Sequence, residues 1–207
     1  MALEPGGNTL LVANAFGSTI SRVNMSTGIF QNNLSVGVRP DGLAYDASGN
    51  LFAVLGRNRL AQIDPTTGVV INFIMLQSAP GVATNNADAL SFDPTTGKLY
   101  VSFDQANGGY WIVPTDLSTQ QLITLNMDID GLAANGMTLY LIQRGERGVQ
   151  VDLSTNTITL LSPLISGADD IAPLAGPGSQ PVPEPATLTL LGVALAGLGF
   201  SRRRKVH

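Results

Sequence analysis

Four aspartates recur along the first 170 residues, each at the start of a short apolar segment. They are Asp41, Asp88, Asp130 and, in a weaker copy, Asp170. Converging carboxylates could hold a hard cation such as Ca²⁺, because such ions take oxygen ligands. Aspartate is also a common turn residue whose side chain accepts hydrogen bonds from nearby backbone N–H groups. We interpret the series as turn caps with no bound metal, and keep a cation site as the alternative.

Two further groups of side chains could bind a ligand. The neighbours Tyr110 and Trp111 could stack on a carbohydrate, but an alternating strand puts one ring on each face. We therefore expect at least one of the two rings in the core. Four arginines fall at equivalent places of two repeats, and we expect them to be solvated. The alternative is that they bind an anionic polysaccharide. They are Arg57, Arg59, Arg144 and Arg147.

The composition excludes several chemistries. The chain has no cysteine and one histidine, the terminal His207, so thiol chemistry, a His-type metal site and a Ser-His-Asp triad are excluded from the folded part. A Gly-rich phosphate loop and a nucleophile elbow are missing from the sequence. No cofactor is expected. Residues 1–185 carry seven basic and fifteen acidic side chains, which argues against a nucleic-acid partner.

The elements that position these residues are short strands between turns. The 207 residues include 23 Gly and 12 Pro, with 44% hydrophobic and 13% charged residues, which is typical of an ordered, turn-rich β protein. One turn pattern recurs, in which Asp or Asn caps the backbone and Gly or Asn takes the left-handed closing position in most copies. Its copies are 24–28, 64–68, 116–120 and 152–156.

Around each such turn we expect four short strands in about 40 residues, the period of a propeller blade. The stretch RPDGLAYDASGNLFAV at 39–54 resembles the blade pattern of NHL and YVTN-type β-propellers. The predicted fold class is all-β, with propeller-like repeats of four antiparallel strands and one C-terminal transmembrane helix. The predicted units lie near 1–36, 37–84, 85–126 and 127–174.

The number of units leaves the closure of the propeller open. Met1–Pro5 aligns with the end of an opening strand, so we expect a partial or truncated propeller whose first blade begins upstream. An inner strand supplied to the first blade by residues 170–174 is one alternative. An open sandwich or a solenoid of hairpins is another.

The C-terminus has three consecutive parts. Residues 175–185 form a Pro/Gly-rich linker, residues 186–200 are uncharged, and residues 201–207 are basic. As a helix, 186–200 spans about 22 Å, short for a bilayer core of about 30 Å but within reach of snorkelling arginines. The basic residues should stay cytoplasmic, which places the body outside the inner membrane. They are Arg202, Arg203, Arg204 and Lys205.

The order of these parts resembles the PEP-CTERM sorting domain of exosortase substrates. The matching motif consists of Val182, Pro183, Glu184 and Pro185. The resemblance implies recognition by a membrane-embedded exosortase, transient anchoring in the inner membrane, removal of the helix and tail, and release or attachment at the surface. A plain C-terminal anchor is the alternative. MALEPGGNTL lacks the features of a signal peptide, so we expect a fragment or a miscalled start.

Together these features predict an exported protein of the cell surface or the extracellular polymeric matrix. Its body would be a non-enzymatic binding or structural module, with an extracellular polysaccharide or another surface protein as partner. The alternative is a metal-dependent propeller enzyme of the lactonase or hydrolase type. That alternative is less favoured, because such enzymes usually also use glutamate and the body offers only Glu4 and Glu146.

Overall fold

The computed structural model describes residues 1–78, 86–145, 147–161 and 171. Within these ranges the chain forms sixteen strands, and no helix there is long and apolar enough to cross a membrane. The predicted linker, the transmembrane helix at 186–200 and the basic tail lie outside the described residues, as do Asp170 and the sorting motif.

The strands form four antiparallel sheets, each a simple meander of four consecutive strands, which we call blades 1 to 4. Blade 1 comprises β1 (Ala2–Leu3), β2 (Thr9–Asn14), β3 (Thr19–Asn24) and β4 (Phe30–Ser35). Blade 2 comprises β5 (Pro40–Tyr45), β6 (Leu51–Leu55), β7 (Arg59–Ile63) and β8 (Val70–Met75). Blade 3 comprises β9 (Ala87–Asp93), β10 (Lys98–Phe103), β11 (Gly109–Pro114) and β12 (Gln121–Thr124). Blade 4 comprises β13 (Ile129–Asn135), β14 (Thr138–Gln143), β15 (Arg147–Asp152) and β16 (Thr157–Leu160). The prediction of an all-β, propeller-like body is confirmed.

The recurring turn joins the third and fourth strands of each blade. In blade 2, Asp64 Oδ1 accepts hydrogen bonds from the backbone N–H of Thr66 at 2.8 Å and of Thr67 at 2.9 Å. Gly68 closes the turn with a φ of 79°, which a residue without Cβ adopts freely. These bonds lower the pKa of Asp64. In the equivalent turns, hydrogen bonds first from the side chain and then from the backbone N–H of Ser118 and Ser154 lower the pKa of Asp116 and Asp152, respectively. The predicted capping of this turn is confirmed.

Successive blades pack face to face through three hydrophobic clusters of described residues, one at each junction. At the junction of blades 2 and 3, Phe52 and Leu60 pack in one cluster with Leu99 and Trp111. The inner strand β9 contacts both of the other inner strands, β5 and β13. A Cβ on Gly42 would lie 2.5 Å from the backbone N of Leu90, so β5 and β9 approach closely. This packing brings the ends of the three inner strands together.

Candidate functional site

A β-bulge marks the aspartate in each inner strand of blades 2 to 4. The pairing with the next strand shifts at Asp41 in β5, at Asp88 in β9 and at Asp130 in β13. A bulge bends its strand and re-aims a side chain. Next to Asp88, the backbone N–H of Ala89 has no partner in the strand pairing and donates a hydrogen bond to Ser102 Oγ at 3.0 Å instead. The bulge therefore leaves this N–H group hydrogen-bonded. The repeated bulge therefore gives the aspartates a common position at one end of the blades.

Asp41 and Asp88 do not take the capping role predicted from the sequence. Asp41 Oδ1 accepts a hydrogen bond from Arg39 Nε at 2.7 Å, and Asp88 accepts none from any described residue. Capping is performed by other aspartates, such as Asp93, whose carboxylate oxygens accept hydrogen bonds from the backbone N–H of Thr95 and Thr96. The physical reason is the bulge, because a bulge changes the direction of the side chain that it contains.

The same end of the blades holds a cavity of about 290 Å³ whose wall is almost entirely polar. It is lined by the three arginines Arg39, Arg57 and Arg144, the three aspartates Asp88, Asp104 and Asp130, and by Asn86 and Ala87. Blades 2, 3 and 4 all contribute, through inner strands and through the loops at that end. The cavity is thus a property of the blade arrangement and of no single repeat.

One arginine in the cavity wall lies against three carboxylates. Arg144 Nη1 is 3.0 Å from Asp104 Oδ1 and 3.9 Å from Asp128 Oδ2, and its Nε is 3.2 Å from Asp130 Oδ2. Asp104 Oδ2 also accepts a hydrogen bond from Asn86 Nδ2 at 2.9 Å. Arg144 therefore provides positive charge to two blades at once, joining blade 3 to blade 4.

The same three carboxylates could hold a divalent cation. One oxygen of each of Asp104, Asp128 and Asp130 lies within 4.8 Å of the others. Burial, a hydrogen bond with the Asp104 carboxyl and the charge of Asp104 raise the pKa of Asp128 to about 7, although Arg144 opposes the shift. Carboxylates that share a site resist joint ionisation, and a bound cation would relieve that repulsion.

Asp88 and Arg57 are the unpaired charges of the cavity. Neither side chain forms a hydrogen bond or an ion pair within the part of the chain that the structure describes. Burial and the charges of Asp41, Asp104 and Asp130 raise the pKa of Asp88 to about 6, and Arg39 opposes this rise. Arg57 is exposed and has a φ of 70°, a left-handed conformation that is strained for a residue with a side chain. Both groups remain available to a ligand.

The predicted aromatic patch is not on the surface. Tyr110 and Trp111 are both fully buried, on opposite faces of blade 3. Trp111 Nε1 donates a hydrogen bond to the carbonyl oxygen of Gln77 at 3.2 Å, and its ring centroid lies 4.6 Å from that of Phe103. The carbohydrate-stacking alternative is therefore wrong for this pair, because both faces of blade 3 are covered by neighbouring blades.

The four predicted arginines separate into two kinds. Arg57 and Arg144 line the cavity, whereas Arg59 lies over the ring of Phe73 at 5.4 Å and Arg147 begins β15. Three members of the site were not predicted from the sequence, because they lie in loops that vary from repeat to repeat. They are Arg39, Asn86 and Asp104. An available signal was the RPDG sequence, in which Arg39 stands two residues before Asp41.

Comparison with solved structures supports the fold class alone. Hydrazine synthase of Kuenenia stuttgartiensis is similar with a TM-score of 0.62 and 16% sequence identity, over 80% of this chain and 48% of that one. This chain thus spans about half of the length of that structure. Among curated proteins none matches the sequence. The body is an all-β, propeller-like array of four-stranded blades.

The C-terminus carries a recognised sorting signal. A family profile described as the PEP-CTERM protein-sorting motif matches residues 181–205. The match contains the predicted motif residues Val182 to Pro185 and the basic cluster Arg202 to Lys205. The chain is therefore an exported protein with a C-terminal, membrane-anchored sorting signal, and the motif implies processing by an exosortase.

Proposed function

We propose that the propeller-like body is a non-enzymatic binding module and that the polar cavity is its binding site. The observation that carries this proposal is the pair of unpaired charges, Asp88 and Arg57, in one cavity of about 290 Å³. Asp88 is half-buried, and a partly desolvated charge without a partner costs folding free energy, so a ligand that pairs with it is stabilised, whereas the exposed Arg57 supplies donors to the same ligand. A hydroxyl-rich extracellular polysaccharide supplies both donors and acceptors to such a wall.

The lack of enzymatic activity is supported by the choice of residues. The body has no histidine and no cysteine, which are the usual general base and thiol nucleophile. Two of the three aspartates in the cavity wall, Asp104 and Asp130, are ion-paired to Arg144. A metal-dependent hydrolase is the second candidate, and it is favoured by the carboxylate trio of Asp104, Asp128 and Asp130. Arg144 already provides that trio with a positive charge, which favours the first proposal.

We also propose the route by which the module reaches its place of action. The basic tail stays cytoplasmic and the body lies outside the inner membrane, because the Arg/Lys cluster follows the apolar run directly. Exosortase then removes the helix and tail, and the body remains at the cell surface or in the extracellular matrix. Another surface protein is the alternative partner to a polysaccharide.

The sorting step is tested with the double variant Pro183→Ala/Pro185→Ala in an exosortase-bearing host. We expect this variant to stay in the membrane fraction at its unprocessed size, because the motif is lost while the apolar run is intact. The double variant Pro173→Ala/Pro177→Ala lies outside the matched residues and should be processed normally. Normal processing of the motif variant would show that the C-terminus is a plain anchor.

Binding is tested by retention of the processed protein on immobilised extracellular polysaccharide from the same host. We expect Asp88→Asn and Arg57→Ala each to reduce retention, since each removes one of the unpaired charges of the cavity. Asp64→Asn is the matched control, because Asp64 is an exposed turn cap outside the cavity. Equal retention of all three variants would exclude the cavity as the binding site.

A further inference from the structure

The cavity has an excess of negative charge. Five aspartates surround it or lie directly behind its wall, and three arginines oppose them. The aspartates are Asp41, Asp88, Asp104, Asp128 and Asp130, and the arginines are Arg39, Arg57 and Arg144. With all groups ionised, the site carries two negative charges more than positive ones. Such a site favours a ligand that brings positive charge.

Two of the arginines are already engaged. Arg39 Nε binds Asp41, whose side chain is 4% exposed, and Arg144 lies against Asp104, Asp128 and Asp130. Asp88 is therefore the carboxylate of the wall that a ligand can neutralise without displacing an arginine. Its position at the bulge of β9 directs it toward the cavity, where it stays open to solvent.

The size of the cavity and the position of Arg57 favour an organic cation over a metal ion as the ligand. A volume of about 290 Å³ is about ten times the share of one water molecule in the liquid, far more than a bare ion fills. A divalent cation needs six or more oxygen ligands and would be repelled by the unpaired guanidinium of Arg57. A larger ligand can place its positive group at Asp88 and offer hydroxyl oxygens to Arg57, which has donors in a planar fork.

We propose that the cavity binds an amino sugar in its ammonium form, with the ammonium group on the Asp88 carboxylate and ring hydroxyl oxygens on the Arg57 guanidinium. This inference rests on the proposed binding function and names the class of its ligand. The ammonium donates to Asp88 Oδ1 or Oδ2, and the guanidinium N–H groups of Arg57 donate to the hydroxyls. No bond of the sugar is broken.

The test measures binding of three related saccharides to the full chain in detergent by calorimetry at pH 7. Glucosamine carries the ammonium group, N-acetylglucosamine replaces it with a neutral amide, and glucuronate carries a carboxylate. We expect glucosamine to bind at least tenfold more tightly than N-acetylglucosamine, since a charge-assisted hydrogen bond is replaced by a neutral one. Glucuronate should bind most weakly, because of its repulsion by Asp88.

Two variants assign the contacts. Asp88→Asn should lower the affinity for glucosamine to that for N-acetylglucosamine and leave the latter nearly unchanged. Arg57→Ala should weaken both by a similar factor, because it contacts groups that the two sugars share. Asp64→Asn, the control outside the cavity, should leave all three affinities unchanged.

The outcomes distinguish the ligand class from the binding function. If glucuronate or N-acetylglucosamine binds as tightly as glucosamine, and Arg57→Ala weakens that binding, the ammonium inference is overturned while the proposed function stands. If calcium binds and displaces glucosamine from the wild type, the cavity is a cation site and the inference is also overturned. Absence of binding by all three saccharides overturns the inference, and retention on the polysaccharide then decides the proposed function separately.

Discussion

Asp88→Asn should make the protein more stable at neutral pH, although it removes a charged group from a polar site. Burial and three neighbouring aspartates raise the folded-state pKa of Asp88 to about 6, from an ordinary value of 3.8. For a carboxyl with a raised folded-state pKa, the folded protein keeps its proton while the unfolded chain has lost it. The wild type therefore loses stability as the pH rises from about 4 to about 6.

The size of this effect follows from the pKa. The difference between the folded-state pKa of about 6 and the ordinary value of 3.8 corresponds to at most about 3 kcal/mol of free energy of unfolding. The carboxylate opens into a solvent-filled cavity, so screening lowers the expected value to about 1 kcal/mol. Asparagine has nearly the same shape and no charge, so above about pH 6 the variant should exceed the wild type by that amount. Below about pH 4 the two proteins should be equally stable.

The assay is thermal unfolding of wild type and variant between pH 3 and pH 8. A difference of about 1 kcal/mol shifts the melting temperature by about 3 °C in a domain of this size. The control is Asp64→Asn. The wild-type carboxyl of Asp64 caps a turn and has a lowered pKa, so the wild type should become more stable relative to this variant as the pH rises from acid values. A variant at Asp88 that is equally or less stable than the wild type at pH 7 would refute the description of Asp88 as an unpaired charge.

Two further substitutions test the carboxylate trio and the packing of the blades. Arg144→Ala leaves Asp104, Asp128 and Asp130 without their guanidinium and should cost about 1–2 kcal/mol, less than a fully buried pair because the arginine is partly exposed. Calcium should then raise the melting temperature of this variant and leave that of the wild type unchanged, and a calcium-dependent rise in the wild type would favour the metal-dependent alternative. Trp111→Ala should cost about 3–5 kcal/mol in chemical denaturation, because the ring is fully buried between blades 2 and 3, and a loss below about 1 kcal/mol would contradict that burial.

The sequence by itself determined the features that arise from short stretches of chain. The turn of Asp64 to Gly68 is specified locally, since a carboxylate caps N–H groups two and three residues ahead and a glycine closes the turn. Such turns between short apolar segments predict a meander of four strands. The sorting motif at 181–205 was also evident, because a signal recognised as a linear segment is fully contained in that segment.

The tertiary structure alone decided which groups share the site and which rings are hidden. The alternation of β11 places Tyr110 and Trp111 on opposite faces, but only the stacking of blades 2 and 4 on blade 3 covers both faces. The bulge at Asp88 has no clear local signal, since it depends on the register between two strands. Arg144 reaches Asp104 from another blade, 40 positions away in the chain. Long-range packing sets such distances, and no spacing along the sequence encodes them.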